Sequence, residues 1–80
     1  MSEPTNQDRA GWARDALALF TAQTFSGDHP DTMDRDDLEC AVGDLICDLM
    51  HFAVQQGFDP QGIIETARGN YAVEIMEASA

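Results

Sequence analysis

Between Asp34 and Gln56 the chain reads DRDDLECAVGDLICDLMHFAVQQ, and one pattern in it limits what the protein can fold into. Leu38, Val42, Leu45, Leu49 and Phe52 recur at spacings of 4, 3, 4 and 3, which a period of about 3.6 residues gathers into one stripe of an α-helix. Ala41, Ile46, Met50 and Ala53, then Gly43, Val54 and Cys47, widen the apolar arc to roughly 240°, where a surface helix usually shows little more than about 100°. Such a helix is expected to be largely buried. Two neighbouring helices of the same chain would cover about 180° of it, so the Gly43, Cys47, Met50 and Val54 edge is left over as the expected edge of a homodimer.

The other segments supply two flanking helices. The first is expected at about 7–24, with Thr5 or Asn6 as its cap and Asp8 in the first turn, where negative charge suits the helix dipole. Trp12, Ala13, Ala16, Leu17, Leu19 and Phe20 form its expected apolar face. Ser26-Gly27-Asp28-His29-Pro30-Asp31 breaks the pattern as a loop of turn residues, with His29 read as a solvated loop side chain. The central helix is expected over 34–56, closed by Gly57 as a left-handed C-cap. Asp59-Pro60 then opens a third helix at 60–78, with a capping acid before a proline at the first helical position. Ile63, Ile64, Ala67, Tyr71, Ile75 and Ala78 line one of its faces. So short a turn implies that helices two and three form an antiparallel hairpin.

The fold class that follows is all-α: a small three-helix domain spanning 1–80, with 1–5 disordered. Its expected core is Trp12, Leu17, Phe20, Leu38, Val42, Leu45, Leu49, Phe52, Ile64, Ala67, Tyr71 and Ile75. Eighty residues form one domain, and a chain of that length buries only about 60% of its unfolded surface. No apolar run approaches the roughly 20 residues of a membrane-spanning helix, and the N-terminal octet lacks the basic and apolar regions of a signal peptide. The expectation is a cytoplasmic protein with no membrane association.

Fifteen carboxylates against four basic side chains give a formal net charge of −11. Residues 26–56 hold eight of those acids beside Arg35 alone. Direct nucleic-acid binding needs clustered Lys and Arg, so the expected partner is a protein, and a basic one suits the charge. Asp34, Asp36, Asp37, Asp44, Asp48 and His51 form the candidate interaction surface. Six acids from Asp34 to Asp48 occupy about 21 Å of helix, one per about 3.5 Å, half the charge density of duplex DNA. Nucleic-acid mimicry is therefore not the favoured form of this surface.

Cys40 and Cys47 are too few for a disulfide scaffold, and seven helical residues hold them about 10.5 Å apart along the axis. Free thiols are expected. Asp44, Asp48 and His51 stand at i, i+4 and i+7, so they form the alternative reading as ligands for Mg or Mn. Neither the first nor the third helix supplies a second acidic pair at ligand spacing, and the primary expectation is a protein without cofactor or catalytic residue.

The run Gly43-Asp44-Leu45-Ile46-Cys47-Asp48-Leu49-Met50-His51-Phe52-Ala53 resembles the second metal-binding helix of MazG-type all-α nucleotide pyrophosphatases. Asp44 carries over as a ligand. The acid that family places three residues earlier is Ala41 here, and its paired glutamates on the preceding helix have no counterpart. The resemblance implies helical packing and, as the alternative function, metal-dependent nucleotide hydrolysis. The longer string from Asp44 to Ala53, with Gly57-Phe58-Asp59, Ala67-Arg68 and Tyr71, is similar to small uncharacterised acidic proteins of bacterial plasmids and integrative elements. That resemblance implies a non-enzymatic accessory protein or inhibitor acting on a host nucleic-acid-binding complex of the restriction or CRISPR type.

Overall fold

The computed structural model describes residues 3–79, and among them the chain is all-helical, with no strand. Three helices pack against one another: α1 (Asn6–Thr24), α2 (Arg35–Gln55) and α3 (Pro60–Ser79). A single 3-10 turn, Pro30–Thr32, lies between α1 and α2. The helix bounds fall within a residue or so of those expected from the sequence.

Local chemistry sets each boundary. Thr5 accepts a hydrogen bond from the Asp8 N–H at 3.1 Å, while the Asp8 carboxylate accepts from the Thr5 N–H at 2.9 Å, so both orphan donors at the start of α1 are satisfied. Of the segment 1–5 expected to be disordered, Met1 and Ser2 lie outside the described residues, and Thr5 is this cap. Asp34 caps α2 by accepting the Asp37 N–H at 3.0 Å. At the other end Phe58 N–H reaches the Ala53 carbonyl at 2.9 Å and Gly57 N–H reaches Val54 at 3.0 Å. This paired closure needs a left-handed residue between helix and turn, and Gly57 supplies it with φ of +82°. Asp59 then accepts the Gln61 N–H at 3.2 Å and starts α3.

Burial differs from the sequence expectation in kind. The buried side chains are Leu17 and Thr21 on α1, Pro30 in the 3-10 turn, and Ala41 and Ala53 on α2. Of the twelve residues expected in the core only Leu17 is buried; Trp12, Leu49, Phe52 and Tyr71 are each more than half exposed. Thus α2 is not largely enclosed by its own chain. Apart from Leu17 and Pro30, the positions that are buried carry small side chains, while most of the larger apolar ones stay partly or largely exposed. Thr21 and Ala41, both 0% exposed, belong to the two helices that close on the 3-10 turn. Buried Thr21 directs its hydroxyl to the Ala18 carbonyl at 3.3 Å, as a helical threonine without other partners does.

On α1 the sequence offers two apolar arcs about a third of a turn apart, Trp12-Ala16-Leu19 and Ala10-Ala13-Leu17. The second, made mostly of alanine, is the one that faces α2, and Trp12 and Leu19 are exposed on the other side. The larger side chains of α2 instead line an open groove. The accessible surface, 6505 Å², exceeds by roughly 1,800 Å² the value of about 4,700 Å² expected for a compact chain of 8.7 kDa. The radius of gyration, 14.4 Å, likewise exceeds the roughly 11.6 Å of a compact 80-residue domain.

Close approach at Ala41 predicts its own test. Ala41→Leu, which forces three more carbons into a fully buried position, is expected to cost about 1–3 kcal/mol of stability. Urea unfolding of the two proteins measures it, and an unchanged midpoint would mean that the position is not closely packed.

Candidate functional surfaces

Asp37, Asp44, Asp48 and His51 project from one side of α2, within about 60° of one another at 100° per residue. All four are exposed. From Asp37 to Asp48 they cover about 16 Å of helix axis. Asp36 points about 100° away from Asp37, and Asp34 is occupied as the cap of α2. The six residues expected to form one acidic surface therefore divide into a four-residue face, a helix cap and one outlying acid.

This face lies opposite the apolar side of the same helix. Val42, Ile46 and Leu49 stand about half a turn from Asp44 and Asp48, and all three are exposed. They line, with Leu38, Leu45 and Leu17, an apolar groove of about 520 Å³ between α1 and α2. Beside them the expected dimer edge is also open. Gly43, Cys47 and Val54 are exposed and Met50 is half-buried, and a Cβ added at Gly43 would meet nothing within 4 Å. The sequence reading singled out that edge and assigned the bulkier Val42, Leu45 and Leu49 to the interior.

One end of the groove is closed by an ion pair that the sequence did not reveal. Arg14 on α1 forks onto Asp31 in the 3-10 turn: its Nε donates to Oδ1 at 2.8 Å and a terminal nitrogen donates to Oδ2. The turn itself is held by His29, whose Nδ1 accepts the Asp31 N–H at 3.1 Å. His29 thus caps the turn and is more than a solvated side chain. The hydrogen bond from Arg14, ahead of its charge, holds the Asp31 carboxyl below the usual carboxylate range, and the same bond raises Arg14. At the far end of α1, Arg9 Nε lies 3.4 Å from Glu74 and Asn6 donates to the Glu74 carbonyl at 3.2 Å, which ties α1 to α3.

The alternative metal site fares differently. Among the described residues no group of three or more His, Cys, Asp or Glu side chains is gathered closely enough to hold a metal ion. Asp44, Asp48 and His51 lie along one exposed helix face over about 10.5 Å, and no carboxylate pair comes to them from α1 or α3. Ala41, where the pyrophosphatase pattern carries an acid, is fully buried against its neighbours. A carboxylate there would be an unpaired buried charge. Cys40 and Cys47 are free and exposed. No helix among the described residues is long and apolar enough to cross a membrane.

Comparisons with known protein families, with characterised proteins and with solved structures find no match for this chain.

The Arg14–Asp31 pair predicts a pH dependence of definite sign. Because the folded carboxyl titrates below the unfolded one, its stabilising effect is present above the unfolded value and fades as the pH falls through the folded value. Asp31→Asn should accordingly lower the melting temperature at neutral pH, with the gap to wild type narrowing in strong acid. A gap that stays constant with pH would show that the charge of Asp31 contributes nothing. For the face of α2, millimolar Mg or Mn should leave the melting temperature unchanged in both the wild type and Asp44→Asn/Asp48→Asn. A rise lost in the double variant would restore the metal reading.

Proposed function

We propose that this chain is a non-enzymatic, acidic protein-binding module whose face at Asp37, Asp44, Asp48 and His51 engages a basic surface of a protein partner. The observation that carries this reading is the division of α2 into an exposed acidic side and an exposed apolar side, in a chain of net charge −11. Asp34 and Asp36 border that face at the start of α2. Carboxylates held on rigid helix, free of intrachain partners in the recorded ion pairs, attract a cationic surface over a range set by the Debye length, about 8 Å at physiological salt. They speed encounter more than they add affinity.

In this reading α2 and α3 form an antiparallel hairpin about the Gly57 turn and the chain works in the cytoplasm, without cofactor. The similarity to small acidic proteins of plasmids and integrative elements suggests the setting: an accessory protein or inhibitor that occupies a basic surface of a host nucleic-acid-binding complex, of restriction or CRISPR type. No direct contact with nucleic acid is implied, since phosphates and this face repel each other.

Poly-L-lysine serves as a defined basic probe. Binding is expected to weaken as salt rises, and Asp44→Asn/Asp48→Asn should raise Kd about two- to thirtyfold if each exposed pair contributes about 0.2–1 kcal/mol. Glu65→Gln/Glu77→Gln removes the same charge from α3 and serves as the control. An equal loss in both double variants would show a diffuse charge effect and would refute a localised binding face.

A further inference from the structure

We draw no further inference here: the strongest candidate, the open apolar groove between α1 and α2 along Leu38, Val42, Leu45 and Leu49, carries nothing because nothing in the structure shows what covers it.

Discussion

The width of the apolar arc on α2 is the constraint on which the rest of the structure depends. A helix with hydrophobic side chains around most of its circumference needs cover on most sides, and α1 and α3 leave Val42, Ile46, Leu49, Phe52 and Val54 exposed. The chain meets part of the demand by bringing α1 close. The buried positions of α1 and α2 are held by Leu17, Thr21, Ala41 and Ala53, while Leu38, Leu45, Val42 and Leu49 sit along a groove between the two helices.

Electrostatics follows the same division of α2. Carboxylates on its far side keep the apolar side free of charge, and two of the chain's four arginines are committed to intrachain work. Arg9 ties α1 to Glu74 of α3, and Arg14 ties α1 to the 3-10 turn. Both ion pairs are solvent-exposed, so their strength is modest, but each fixes where a helix ends relative to its neighbour. A chain built this way has little positive charge left to offset fifteen carboxylates.

Local features were legible from the sequence because they depend on neighbours a few residues apart. Thr5 with Asp8, Gly57 after α2 and Asp59-Pro60 at α3 are cap signals, and each element begins or ends beside its signal; Asp34, expected inside α2 and on its acidic surface, is instead the cap of that helix. The acidic face was legible too, since helical spacing alone gathers Asp37, Asp44, Asp48 and His51. Helix packing was less so. Periodicity gathers Trp12, Ala13, Ala16, Leu17, Leu19 and Phe20 on one broad face of α1 without saying which part of it turns inward: Leu17 is buried, while Trp12 and Leu19 are exposed. The Arg14–Asp31 pair joins residues seventeen apart, and nothing local marks it. Buriedness was overread because periodicity reports a need for cover without saying whether the cover comes from the same chain.

The central claim is that α2 is left open by its own chain, so that Leu49, 56% exposed, adds little to the stability of the fold. Urea unfolding of Leu49→Ala tests it most directly. The account predicts a loss well below the about 2–5 kcal/mol of a buried leucine. A loss inside that range would contradict it.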